Sequence, residues 1–146
     1  MTLVDNTAPS QAESISFEFD LRHAPQKVWR ALTDPELLGE WLLPVLDLEL
    51  APGAAFMFNA PPQPGWDGKV NCRFLEIEAQ RKLSYAWVVG GMNTVVTFTL
   101  TPTASGTRLS LLQSGFTPAQ KKNFGGARYG WRLMGGRLED LLAKIP

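Results

Sequence analysis

Apolar and polar residues alternate without a break from Ile15 to Leu21, with Ile15, Phe17, Phe19 and Leu21 on one face and Ser16, Glu18 and Asp20 on the other. A period of two predicts a strand with one buried face. The period then lengthens. Pro25 takes a first-turn position where its missing N–H costs nothing, and Val28, Ala31 and Leu32 share a stripe, predicting a short helix that ends near Thr33. Asp34-Pro35 repeats the start signal, a carboxylate that accepts an N–H from the next turn and a proline with its dihedral preset. Leu37, Leu38 and Trp41 give the second short helix its apolar face.

After Pro44 the period returns to two. Leu46, Leu48 and Leu50 alternate with Asp47 and Glu49, and Pro52-Gly53 turns the chain into Ala55 to Asn59, a predicted hairpin. Three prolines between Ala60 and Gly65 remove ladder donors, so this segment is expected to be a loop at a sheet end, a rim or lid. Strands then read Lys69 to Glu78, Lys82 to Val89, Thr94 to Thr101 and Thr107 to Ser114. The turns between them are too short for anything but antiparallel neighbours. Thr117-Pro118-Ala119-Gln120 is a capping box, and from it a long helix is expected, with Trp131, Met134, Leu138, Leu141, Leu142 and Ile145 on one face. Gly125-Gly126 and Gly135-Gly136 weaken that helix by about 1 kcal/mol per glycine, which predicts close packing or a bend at each pair.

Composition narrows the function. Lys+Arg and Asp+Glu balance at 14 each across 146 residues, so the chain has no basic excess for a phosphate backbone, and nucleic acid is not expected as a partner. Arg128, Arg132 and Arg137 are dispersed around the helix and read as solvated. One cysteine, Cys72, and one histidine, His23, leave no disulfide, no zinc set and no triad. No metal or other cofactor is expected. No segment approaches the roughly 18 apolar residues of a membrane span, and the setting expected is reducing and cytoplasmic. Residues 1–13 are polar and read as a flexible tail, leaving 14–146 as a single domain.

The order of strand, two short helices, six strands and long helix resembles the helix-grip fold of Bet v 1, START and polyketide cyclase domains, an α+β fold in which a curved antiparallel sheet of about seven strands grips a C-terminal helix. Within it, the chain resembles the family related to the C-terminal domain of the Hsp90 ATPase activator Aha1. The resemblance is carried by Ala24-Pro25-Gln26-Lys27-Val28-Trp29-Arg30-Ala31-Leu32-Thr33-Asp34-Pro35 with Trp41, by Arg81-Lys82-Leu83-Ser84-Tyr85-Ala86-Trp87, by Gly106-Thr107-Arg108-Leu109 running to Gln113-Ser114-Gly115-Phe116, and by Gly130-Trp131. It implies a cavity between sheet and helix in proteins that mostly bind or carry apolar small molecules. That family commonly has a histidine where this chain has Gln113. The activator's domain that grips the chaperone's middle segment has no counterpart here, so a chaperone partner is not expected.

The expected cavity lining is Trp41, Phe56, Phe58, Trp66, Cys72, Phe74, Tyr85, Trp87, Phe98, Gln113, Trp131 and Met134. Rings of this size also fill solid cores. Gln113 shares strand parity with Leu109 and Leu111, and Tyr85 with Leu83 and Trp87, so both point inward, either toward a ligand or to satisfy neighbouring backbone. Cys72 lies between Val70 and Phe74 on its face, the setting of a small buried hydrophobe. The expected function is binding or carriage of a small apolar molecule, with no catalytic residue assigned. A cyclase, aromatase or hydrolytic enzyme using the same cavity is the alternative, and a stress-related chaperone-associated protein a further one. A homodimer is left open.

Overall fold

The computed structural model describes residues 2–5, 7, 14–62, 64, 66–117 and 120–146, with backbone alone at Thr2, Lys121 and Lys122. A strand stands where the tail was expected. β1 (Thr2–Asp5) runs antiparallel to β2 (Ser14–Leu21), pairing Leu3 with Phe19 and Asp5 with Phe17. Its anchor is electrostatic. The Asp5 carboxylate accepts from Arg128 Nε at 2.7 Å and Arg132 Nη2 at 3.1 Å, both on the last helix, and from the Thr7 backbone N–H at 3.0 Å. Burial alone would raise this carboxyl, but the Arg128 hydrogen bond, with those from Thr7, brings it down to about 2. Two corrections follow: the tail is structured over residues 2–5, and Arg128 and Arg132 are paired. Composition weighs only neighbours in sequence, whereas Asp5 and Arg128 meet across the fold. Residues 1, 6 and 8–13 of the expected tail lie outside the described residues.

The two short helices are α1 (Pro25–Thr33) and α2 (Pro35–Trp41). The Asp34 side chain accepts from the Glu36 N–H at 2.9 Å, capping α2 as expected. Val28, Ala31, Leu32, Leu38 and Trp41 are buried, and the Trp41 indole donates to the Ala31 carbonyl at 2.8 Å, locking one helix to the other. The strand expected to Leu50 is cut short: β3 is only Val45–Leu46. Asp47 turns to φ 60°, a left-handed conformation that breaks the extended run.

The sheet is completed by β4 (Ala55–Asn59), β5 (Lys69–Glu78), β6 (Lys82–Val89), β7 (Met92–Thr103) and β8 (Gly106–Ser114). Its order is β1-β2-β8-β7-β6-β5-β4-β3, antiparallel throughout, eight strands among the described residues where about seven were expected. Gly106 opens β8 at φ 155°, where a Cβ would collide with the Leu21 carbonyl. Across the concave face lies α3 (Lys121–Lys144), burying Trp131, Leu138, Leu141 and Leu142. Of the capping box, the Gln120 side chain accepts from the Thr117 N–H at 2.9 Å; Pro118 and Ala119 lie outside the described residues. The expected helix-grip α+β architecture is borne out.

Candidate functional site

The two glycine pairs of α3 behave differently. At Gly135 a Cβ would overlap the Phe19 ring, so the helix rests directly on β2. At Gly125 and Gly126 an added Cβ would meet nothing within 4 Å, and the same holds for Gly90 and Gly91 in the β6–β7 turn. Close packing is therefore found at Gly135, whereas Gly126 faces open space. The absence of side chains from facing segments leaves a cavity of about 530 Å³ between the first half of α3 and the β6–β7 hairpin.

The wall is apolar. Trp87, Val89 and Met92 come from the hairpin, Gly126, Ala127, Gly130, Trp131 and Met134 from α3, and Leu43, Trp66 and Val70 from the opposite side. Gln113 and Asn123 are its two amides, and it contains no ionisable side chain among the described residues. The Trp87 and Trp131 rings lie 5.5 Å apart, tilted by 51°, and Trp131 meets Phe98 edge-on at 6.0 Å. Trp66 is held by its indole N–H, which donates to the Lys69 carbonyl at 3.1 Å. Its loop is pinched shut by the Ala60 N–H donating to the Gly68 carbonyl at 2.7 Å; Gln63 and Gly65 lie outside the described residues.

A buried relay fixes the polar floor. The Trp131 indole N–H donates to Gln113 Oε1, Gln113 Nε2 donates to Thr94 Oγ1 at 2.9 Å, and the Thr94 hydroxyl donates to the Trp87 carbonyl at 2.7 Å. Strand β8 thus holds the helix tryptophan and the hairpin together through one amide. Thr94 was missed in the sequence, where its inward parity was visible but its partners were not.

Five of the twelve expected residues, Trp66, Trp87, Gln113, Trp131 and Met134, line this cavity. The other seven stand outside its wall, which corrects the expectation for them. Phe56, Phe58, Phe74, Tyr85 and Phe98 interlock instead: Phe56 stacks on Phe74 at 4.5 Å, Tyr85 meets Phe56 edge-on at 5.2 Å, and Phe98 lies 6.2 Å from Tyr85. Trp41 closes the cluster against Phe98 at 6.4 Å. Tyr85, at 2% exposure, is therefore core, and burial pushes its hydroxyl well above the ordinary phenol range. Burial likewise pushes the Cys72 thiol up to about 12. Strand parity tells inward from outward, but not which inward rings touch each other and which face a void.

No group of three His, Cys, Asp or Glu side chains suited to a metal occurs among the described residues, and no helix there is long and apolar enough to cross a membrane. The solved structure of protein MLL2253 from Mesorhizobium loti is similar over 91% of this chain and 98% of its own, at 40% identity and a TM-score of 0.84. CalU16 from Micromonospora echinospora shares the fold at 23% identity and a TM-score of 0.74, over 98% of this chain and 85% of its own. DynU16, from the dynemicin biosynthetic locus, does so at 22% identity and a TM-score of 0.75, over 90% of this chain and 48% of its own. No curated protein matches in sequence. The profile described as activator of Hsp90 ATPase homolog 1-like protein matches residues 22–143, most of the chain's length, and the chain belongs to that family.

Proposed function

We propose that this protein binds a small apolar molecule in the cavity between α3 and the β6–β7 hairpin. The observation that carries the reading is a void of about 530 Å³ walled by three tryptophans, two methionines and glycine backbone. That volume falls within the range of roughly 300–1,000 Å³ typical of small-molecule sites, which are likewise apolar with a few fixed polar groups. A wall without ionisable groups among the described residues supports binding over acid–base catalysis, since none of those side chains is placed to move a proton. The thiol held at about 12 and buried outside the wall supports the same preference over covalent chemistry.

Tryptophan fluorescence tests this directly, because three of the chain's five indoles border the cavity. Titration with neutral naphthalene derivatives is expected to quench or shift the emission saturably and to raise the melting temperature. Flat titrations across a panel of aromatic, fatty-acyl and polycyclic compounds, with no adduct in native mass spectrometry, would reject the reading.

A further inference from the structure

The wall contains three indole N–H donors, and two are satisfied from within: Trp131 donates to Gln113 and Trp66 to the Lys69 carbonyl. The third is not. Trp87 is 8% exposed, and its indole N–H has no partner among the described residues, although its carbonyl accepts from Thr94. Among the described residues no fully buried side-chain nitrogen or oxygen lacks a partner, so this nitrogen is within reach of open space, and the cavity is the open space in whose wall Trp87 stands. An indole nitrogen donates and never accepts, so its complement is an acceptor atom. Gln113 does not supply it, being occupied by Trp131 and Thr94.

On the binding reading above, we propose that the cavity selects an uncharged apolar molecule carrying a carbonyl or ether oxygen, and that Trp87 positions it by donating its indole N–H to that oxygen. Charge is selected against. A carboxylate brought into a wall with no cation among the described residues loses its hydration and gains no ion pair. Hydrocarbon alone gains the apolar contact and leaves the Trp87 donor unmatched. The ligand class is thus a neutral ketone, quinone, lactone or aryl ether, as opposed to a free fatty acid or a bare hydrocarbon.

Three probes of one skeleton test this: 2-acetylnaphthalene, 2-ethylnaphthalene and 2-naphthoate, titrated at pH 7 against the wild type and Trp87→Phe. The wild type is expected to bind the acetyl probe about fivefold or more tightly than the ethyl probe, the worth of one hydrogen bond, with the naphthoate weakest. In Trp87→Phe the acetyl and ethyl probes converge, while ethyl binding persists and reports an intact cavity. Equal wild-type affinity for the two neutral probes, or an acetyl preference that survives Trp87→Phe, overturns the role of Trp87. Naphthoate binding tightest overturns the selection against charge. Binding of none of the three overturns the cavity reading itself and this proposal with it.

Discussion

The indole N–H of Trp131 donates to the side-chain oxygen of Gln113 at 2.7 Å, where Gln113 has no exposed surface. Gln113→Leu keeps the volume but strands the Trp131 donor and takes a donor from Thr94. Leaving such groups unmatched costs about 2–4 kcal/mol in all. Urea unfolding is expected to show a loss of stability of that size, read as a lower midpoint at unchanged slope; a variant as stable as the wild type would mean that the relay is dispensable.

Adjacent glycines in α3 give opposite signs. Gly135→Ala drives a methyl into the buried Phe19 ring and is expected to cost about 1–3 kcal/mol, whereas at Gly136 a Cβ meets nothing, so alanine there gains about 0.5–1 kcal/mol of helix propensity. Thermal melts of the two single variants settle it, and shifts of the same sign would contradict the contact.

The glycines beside the cavity trade stability against volume. Gly126→Ala is expected to add about 0.5–1 kcal/mol. Gly130→Leu begins 3.7 Å from the Met134 methyl and extends into the void, so it should weaken 2-acetylnaphthalene binding by about tenfold while the protein stays folded. Unchanged affinity in Gly130→Leu would place the probe elsewhere.

Much of this was legible in the chain and some of it was not, for identifiable reasons. Alternation from Ile15 to Leu21, Pro25 and Asp34-Pro35 fixed β2 and both short helices, because strand parity and helix starts are local properties. β1 was illegible, since its anchor, Asp5 with Arg128 and Arg132, spans almost the whole sequence. Within the site, Trp87, Gln113 and Trp131 were found from inward parity and helical spacing, while Phe56, Phe58 and Phe74 carried the same signal and turned out to pack on one another. Gly126 and Gly130 carve the void by what they lack. Aromatic patterning gives no sign of that.

Acid titration probes the β1 anchor. The Asp5 carboxyl, at about 2 when folded against an ordinary 3.8, stabilises the fold fully above the ordinary value and loses its effect as pH falls through 2. Asp5→Asn is expected to cost about 1–2 kcal/mol at pH 7, a modest figure because both arginines are partly exposed. The gap between wild type and variant should then close between about pH 4 and pH 2; a constant gap down to pH 2 would mean that Asp5 acts through something other than its charge.

Cys72 should be silent. With its thiol at about 12 and 4% of its surface exposed, it is expected to resist a disulfide exchange reagent at pH 8 in the native protein and to react at once in urea. Rapid native labelling would show that this part of the sheet opens.

α3 is chemically lopsided. Its C-terminal half is moored continuously by Leu138, Leu141 and Leu142, while its first turns are held only at intervals, by Phe124, the Arg128–Asp5 contact and Trp131, with Gly125, Gly126 and Gly130 between them beside the hollow. Three glycines lower the helix propensity of that stretch, so backbone amides of residues 123–130 are expected to exchange with deuterium before those of 138–142, and equal rates would contradict it. If the proposed binding holds, a ligand seated in that cavity is expected to slow the same exchange.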